Sequence, residues 1–349
     1  MARDRLIDGW RGVAVLCVVS AHALAYRFDT HWLLQRLAEP LAEMGVQLFF
    51  VISGYIITTL LLKEQARDGR ISIPAFYARR FARILPPLLA YYTAILLLTP
   101  VLGLDVAKSA VFVCNVADCG WLVAHTWSLA VEEQFYLAWP LLLGIIPKRA
   151  PVLLGTIAAL LTGYLIFPHQ WHSNWISFAC IAAGAFYATS CGFRDLIGRL
   201  NSFTWLAIGL AFAVIPMGTK FAALTPLMIP VILFGARHLP VRHILQSTAL
   251  NVVGLGSYSL YLWQQAFLGP SDNLPLIGLP VVVMASYFLI EQPFIELGRR
   301  ASAWLGSMHK SPDQESDPDH HCQKSPDDGS AGQNDCAESE VEPIPSAGV

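Results

Sequence analysis

Residues 43–62 read EMGVQLFFVISGYIITTLLL, a run of twenty residues in which only Glu43 is charged. A helix needs about 20 mostly apolar residues to cross the hydrocarbon core of a bilayer. This run is therefore typical of a membrane-spanning helix, and the prediction for the whole chain depends on how often such runs recur.

Nine further apolar runs accompany it, so the predicted fold is an all-α integral membrane protein, a bundle of about ten transmembrane helices. The predicted spans are residues 7–26, 43–62, 84–104, 126–146, 151–167, 173–190, 203–217, 221–236, 251–268 and 275–295. The seventh and eighth runs are short, and hydropathy alone leaves open a nine-span alternative in which they form one span.

Composition agrees with this prediction and divides the chain in two. Of 349 residues, 55% are hydrophobic and 14% charged, against about 25% charged in an ordinary soluble domain. From Ser307 onward, ten acidic residues accompany two lysines and apolar residues are sparse. Such a segment cannot bury enough surface to order itself. We expect a transmembrane domain at 1–306 and a disordered acidic tail at 307–349.

The basic residues predict the orientation of the bundle. With ten spans and both termini in the cytoplasm, 19 of the 23 Lys and Arg residues lie on the cytoplasmic side, as the positive-inside rule requires. The first run also has features of a cleavable signal peptide, but Arg11 and His22 lie within it and further spans follow. We therefore expect it to be retained as the first helix.

Arg11 and His22 are the first candidate functional pair, because ionisable groups inside spans are expensive and mark function by default. Eleven residues separate them, which is three helical turns, so they share one face about 16 Å apart along the axis. Arg11 falls near the cytoplasmic end and His22 near the outer end. The alternative for His22 is a hydrogen bond between helices without a catalytic role.

A second group opens the fourth span. Ser128, Glu132 and Tyr136 follow an i, i+4, i+8 spacing and face one way on a helix. Glu132 is predicted to lie at the depth of His22, so we expect the carboxylate to meet and orient the imidazole. The alternative is that Glu132 and Glu133 complement the dipole at the helix start.

Two further segments supply candidate binding residues. Arg79, Arg80 and Arg83 cluster before the third span, and guanidinium groups suit phosphates, although the positive-inside rule also explains such clusters. Tyr258 and Gln264 belong to a ninth-span segment that mixes small, polar and aromatic side chains, as membrane helix interfaces do.

The cysteines and the tail histidines predict no metal centre. Cys114 and Cys119 lie together in the predicted outer loop 105–125, where an oxidising compartment permits a disulfide. In the tail, the spacing of His320, His321 and Cys322 relative to Cys336 fits no closed zinc pattern. We expect no metal and no permanently bound cofactor.

These segments together resemble the acyltransferase-3 family of membrane O-acyltransferases. The matching segments are Leu6–Gly12 with His22, Phe49–Tyr55, Arg79–Pro86, Thr126–Leu129 with Trp139–Pro140, Ser257–Trp263 and Ile290–Phe294. They follow the family order from residue 6 to about residue 300. One departure is Gln264, where relatives commonly have histidine; an amide cannot take a proton, so acid–base chemistry is absent at that position.

The resemblance implies transfer of an acyl group, often acetyl, from cytoplasmic acyl-CoA to a hydroxyl of a sugar or glycoconjugate. It implies that His22 with Arg11 is essential, that Arg80 and Arg83 handle the donor, and that Ser128 and Glu132 form a family pattern. The expected partners are acyl-CoA, a carbohydrate acceptor and the lipid bilayer, with no nucleic acid. The expected location is the bacterial inner membrane.

The expected mechanism places the CoA phosphates on Arg79, Arg80 and Arg83, with Arg11 nearby. His22 then removes the acceptor proton or carries the acyl group itself, and Glu132 orients its ring. The alternative from another functional class is a transporter or flippase of a sugar conjugate, in which the same polar residues line a pathway.

Overall fold

The computed structural model describes residues 4–27, 32–98, 103–167, 172–214, 220–269 and 274–307. All regular elements within these ranges are helical, which confirms the predicted all-α class. The predicted tail, apart from Ser307, lies outside the described residues, as do the candidate tail ligands.

The helices divide into long segments and short connecting ones. They are α1 (Arg5–His22), α2 (Trp32–Asp68), α3 (Ile73–Leu98), α4 (Gly103–Ala110), α5 (Trp121–Ala124), α6 (Thr126–Ile145), α7 (Arg149–Ile166), α8 (His172–Thr189), α9 (Cys191–Gly198), α10 (Ser202–Val214), α11 (Thr225–Gly235), α12 (Arg242–Leu245), α13 (Thr248–Leu255), α14 (Ser257–Phe267), α15 (Gly278–Ala285) and α16 (Gln292–Ser307). Wider π-helical turns cover Ala23–Arg27 and Ser286–Glu291, and 3₁₀ turns cover Lys220–Leu224 and Ala236–His238.

Helical structure lies over each of the ten predicted spans, but fewer segments are long and apolar enough to cross a membrane alone. Five qualify, namely Arg5–Arg27, Ala38–Asp68, Ile73–Leu98, Arg149–Ile166 and Gly278–Gly306. A sixth is the pair Asn174–Thr189 and Cys191–Gly198 if its 91° bend is counted within one span. The chain is a multi-helix membrane bundle; the count of ten and the side of each terminus stay predictions.

The outer surface of the bundle is strongly apolar. Phe203, Leu97 and Ile145 are 81%, 79% and 78% exposed, and many other large apolar side chains are also exposed. Contiguous apolar surface of this extent is rare on soluble monomers and marks contact with a membrane or a partner. This surface is therefore suited to contact with the lipid of a membrane.

The bundle is held together by close helix pairs. In the described ranges α1 packs between α2 and α13, α2 packs on α8, α8 packs on α7 and α11, and α3 packs on α16. Asp4 caps α1 by accepting from the amides of Leu6 and Ile7, which satisfies donors that a helix start leaves open. Asp4 also pairs with Arg237 at 2.6 Å, so the start of α1 is fixed to the segment after α11.

Glycines allow α2 and α8 to touch backbone to backbone. A Cβ added at Gly54 would lie 2.0 Å from the carbonyl oxygen of Ile181, and one at Gly184 would lie 2.0 Å from that of Val51. Small residues at interfaces permit such close approach in membranes. The contact fixes the position of Ser53, the neighbour of Gly54, which points into the site described below.

Replacing Gly54 with alanine is expected to destabilise the bundle by about 1–3 kcal/mol, the usual cost of overpacking, because the added Cβ would meet Ile181. Thermal unfolding of the purified protein in detergent measures this. Gly155→Ala on α7 is the matched control, since nothing lies within 4 Å of its added Cβ. Equal unfolding temperatures for the two variants would contradict the close packing of α2 and α8.

Breaks in the helices lie next to candidate functional residues. One π-helical turn directly follows His22, and the other ends at Glu291; such turns are frequent at functional sites. His125 stands alone between α5 and α6. The loop before α5 contains a Cys114–Cys119 disulfide, a pairing that the sequence permitted without deciding it.

Candidate functional site

A cavity of about 120 Å³ lies between α1, α2, α3, α6 and α14. Its lining combines cations, one carboxylate, hydroxyl groups and apolar side chains. The residues are Arg11, Val46, Phe49, Phe50, Ile52, Ser53, Ile56, Ile57, Arg80, Arg83, Ile84, His125, Thr126, Ser128, Leu129, Glu132, Tyr136, Ser257, Tyr258, Tyr261 and Leu262. Seven of the ten residues selected from the sequence are in this list.

Arg80 is fully engaged on the wall of the cavity. Its Nη2 bonds to Glu132 at 3.1 Å and its Nε to Glu133 at 3.2 Å, while its guanidinium lies 3.8 Å from the centre of the Tyr136 ring. Ser53 donates to the other oxygen of Glu132 at 2.7 Å. Because carboxylates and an aromatic face already satisfy Arg80, its position is that of a structural cation between α3 and α6.

Arg83 and Arg11 are the cations that remain for a ligand. Arg83 lines the cavity and makes no hydrogen bond or ion pair to the described residues, although Arg11 and Glu291 are close enough to interact with it electrostatically. Arg11 donates to the hydroxyl of Ser257 at 2.9 Å. Two guanidinium groups converging on one cavity suit an anionic ligand.

Arg79 lies apart from the other two arginines. Its side chain is 39% exposed and pairs with Glu64 on α2 at 2.8 Å, and it does not line the cavity. The structure therefore separates three side chains that the sequence grouped: Arg79 is peripheral, Arg80 is engaged with carboxylates, and Arg83 faces the cavity.

The hydroxyl groups of the site connect the helices around it. The hydroxyl oxygens of Ser128 and Tyr261 lie 2.7 Å apart, and each lies within hydrogen-bond distance of the carbonyl oxygen of His125. One hydroxyl donates to the other, and the second donates to that carbonyl oxygen. Tyr258 donates to the carbonyl oxygen of Ile84 at 2.8 Å. These bonds hold α14 against α3 and α6, and they keep the junction between α5 and α6 in place.

His22 lies beside the cavity and not in its lining, and it bonds to a different partner from the one expected. Its Nδ1 lies 3.2 Å from Oε1 of Gln264, and its ring lies 5.7 Å from that of Trp121. The expected contact with Glu132 is wrong, because Glu132 accepts from Ser53 and Arg80 instead. With the amide oxygen as acceptor, Nδ1 carries the proton and Nε2 offers its lone pair.

Sequence reasoning missed three polar residues of this region. His125 lies one residue before the predicted fourth span and was passed over because the search covered ionisable groups inside spans. Ser53 entered the sequence analysis only as part of the matching segment Phe49–Tyr55, although it donates to Glu132. Glu291, buried at 1% exposure, accepts from Ser259 at 2.9 Å; its position within an apolar run was a signal that could have found it.

No group of three or more histidine, cysteine or carboxylate side chains suited to a metal ion occurs within the described ranges. The polar side chains that line the cavity are those of the arginines, His125, the hydroxyl residues and Glu132.

Comparison with known proteins agrees with this arrangement. A family model described as an acyltransferase domain, that of the acyltransferase-3 family, matches residues 4–292. A Staphylococcus aureus protein (strain MRSA252), provisionally named an O-acetyltransferase, is 26% identical over 86% of this chain and 59% of its own length. The O-acetyltransferase OatA of S. aureus strain NCTC 8325 is 31% identical over 41% of this chain and 25% of its own length.

The chain thus spans less than two thirds of the length of these relatives. No solved structure matches it. The family match covers all the residues that surround the cavity, from Arg11 on α1 to Leu262 on α14. The chain belongs to the acyltransferase-3 family.

Proposed function

We propose that the chain is a membrane O-acyltransferase that moves an acyl group, acetyl in the simplest case, from acyl-CoA to a hydroxyl of a sugar or glycoconjugate. The observation that carries this proposal is the cavity, which is lined by two cations, Arg11 and Arg83, and by His125, with His22 held beside it by Gln264 on α14. The relatives' names, which refer to O-acetyl transfer, support the same chemistry.

In this proposal the thioester end of acyl-CoA occupies the cavity. A volume of about 120 Å³ is below the 300–1,000 Å³ or so of sites that enclose a drug-sized ligand, so the cavity takes the thioester and part of the arm, and the nucleotide stays outside. Arg83, with Arg11 behind it, then faces the anionic part of the donor. Arg80 contributes by holding α3 and α6, because it pairs with Glu132 and Glu133.

His22 acts as the general base in this proposal. Nε2 takes the proton of the acceptor hydroxyl as that oxygen attacks the thioester carbonyl carbon. The C–S bond then breaks, and the CoA thiolate recovers the proton from the imidazolium. Gln264 holds the ring in the required tautomer through Nδ1, the role that the sequence had suggested for Glu132. A positioned base contributes about 10²–10⁴-fold to such a step.

The test uses the purified full chain in liposomes, with acetyl-CoA and an oligosaccharide acceptor. Release of free CoA together with an acetylated product, identified by mass spectrometry, is the expected result. Movement of the sugar conjugate across the bilayer without any release of CoA would favour the transporter or flippase alternative. The acceptor, the acyl chain and the bacterial inner-membrane location are parts of this proposal.

Replacing Arg83 with alanine is expected to raise KM for acetyl-CoA by about tenfold or more, since a hydrogen bond to a charged group contributes about 1.5–3 kcal/mol. Lysine should rescue only partly, because the planar guanidinium is lost. Initial rates over a range of acetyl-CoA concentrations measure the change. Arg242→Ala, an exposed arginine on α12, is the control; the same KM in both variants would contradict donor binding by Arg83.

A further inference from the structure

His125 is buried against the outer part of the cavity. Its side chain is 4% exposed, it lines the cavity, and its ring lies 5.7 Å from that of Tyr91 and 5.6 Å from that of Tyr261. The residue occupies the single position between α5 and α6. Its backbone carbonyl is fixed by Ser128 and Tyr261, so the origin of the side chain is held in place.

The imidazole of His125 has no hydrogen-bond partner. Neither Nδ1 nor Nε2 bonds to any described residue, and a backbone group of Leu262 that lies nearby is outside hydrogen-bonding geometry. Leaving a buried polar group unpaired costs about 1–3 kcal/mol. An apolar side chain would fill the same space without this cost, so packing does not explain a histidine here.

The two histidines of the site lie close together. His22 acts on His125 electrostatically, and both are held by one face of α14: Gln264 bonds to the His22 ring, and Tyr261, one turn earlier, bonds to the His125 carbonyl. Residues three apart on a helix are neighbours. Of the two, His125 lines the cavity and His22 lies beside it, so a thioester at this end of the cavity contacts His125 directly.

We propose that His125 is a second catalytic residue, which donates a hydrogen bond from its ring N–H to the carbonyl oxygen of the donor thioester. This inference rests on the proposed acyl transfer. As the acceptor oxygen forms its bond to the carbonyl carbon, the electron pair of the C=O bond moves to the oxygen, and the N–H of His125 stabilises that negative charge. When the C–S bond breaks, the C=O bond re-forms and the sulfur leaves as thiolate.

The physical basis is the stabilisation of developing charge in a site with little water. A donor aimed at the oxyanion of an acyl-transfer intermediate contributes about 10²–10³-fold to kcat, and a neutral imidazole is known to polarise a carbonyl in this way. His22 and His125 then have different tasks. The first takes a proton from the acceptor, and the second keeps its proton and donates to the acyl group.

The experiment compares His125→Leu and His125→Asn with the wild-type full chain in liposomes, using acetyl-CoA and the acceptor established for the wild type. For His125→Leu we expect kcat to fall about 100-fold, KM for acetyl-CoA to change less than about threefold, and the unfolding temperature to stay equal or rise. Asparagine retains an N–H donor and is expected to recover part of kcat. His243→Leu, an exposed histidine on α12, is the matched control.

The outcomes separate this inference from the proposed function. A wild-type chain that transfers no acyl group contradicts the proposed function itself. An active wild type with a His125→Leu variant of normal kcat overturns the role of His125. A lowered unfolding temperature, with equal loss of activity in the Leu and Asn variants, shows a structural role and also overturns it.

Discussion

Replacing His22 with alanine is expected to lower acyl transfer by at least about 100-fold, the lower end of what a positioned base contributes. The physical reason is that Nε2 carries the lone pair that takes the proton of the acceptor hydroxyl, once Nδ1 donates to Gln264. The measurement is kcat with saturating acetyl-CoA, alongside the amount of protein inserted and its unfolding temperature. Both of the latter should match the wild type, because the half-buried ring has one hydrogen-bond partner.

Gln264→Leu provides the companion measurement for His22. It removes the hydrogen-bond acceptor of Nδ1 and leaves the ring free to adopt the wrong tautomer. We expect kcat to fall by less than the 100-fold or so expected for loss of the base itself. Near-normal acylation by His22→Ala would remove His22 from the chemistry and favour the transporter alternative. A normal Gln264→Leu with an inactive His22→Ala would show that the amide does not orient the base.

Arg80→Ala is expected to destabilise the protein by about 3–5 kcal/mol, the usual effect of removing one partner of a buried ion pair. Arg80 is 15% exposed and stands between Glu132 and Glu133, which are 17% and 9% exposed. Without the guanidinium, two neighbouring carboxylates remain in the bundle without the cation that forms ion pairs with both of them. The expected result is a low yield of folded protein and a strongly lowered unfolding temperature in detergent.

Arg83→Ala, three residues along α3, is the matched control for this effect. Arg83 has no ion pair to the described residues, so its loss should leave the unfolding temperature unchanged while KM rises. A second test adds Glu132→Gln and Glu133→Gln to Arg80→Met, which removes all three charges and should restore much of the stability. An Arg80→Ala variant of normal stability and raised KM would instead return Arg80 to donor binding.

The positions of the helices could be predicted from the sequence, because each apolar run lies within one continuous stretch of the chain. The run at 43–62 lies within α2, and the runs at 7–26 and 151–167 coincide with α1 and α7 to within a few residues. The spacing of Arg11 and His22 was also reliable, since the rise of one helix fixes it. The pairing of Cys114 with Cys119 was left open by the sequence, because proximity along the chain permits a disulfide without requiring one.

The contacts between side chains on different helices could not be predicted in this way. Depth estimates placed Glu132 beside His22 and Arg80 near the cytoplasmic surface, yet the structure pairs Arg80 with Glu132. The contacts between α3 and α6 depend on how each helix is rotated about its axis and shifted along it. Hydropathy contains no information about either quantity. Similarly, the role of Gln264 follows only from the close approach of α14 to α1.

The length of α1 has a consequence for which donors the protein can use. Arg11 and His22 lie on one uninterrupted helix, and their separation of about 16 Å along its axis is set by backbone hydrogen bonds alone. Changes of side-chain rotamer alter the distance between the guanidinium and the imidazole by no more than the lengths of the two side chains. In the acyl transfer proposed above, the anionic part of the donor lies at Arg11 and the thioester at His22. A thioester whose negative charges lie much closer to its acyl group could not occupy both ends together, so on this proposal α1 would select donors by the length of their arm, whatever acyl group they carry.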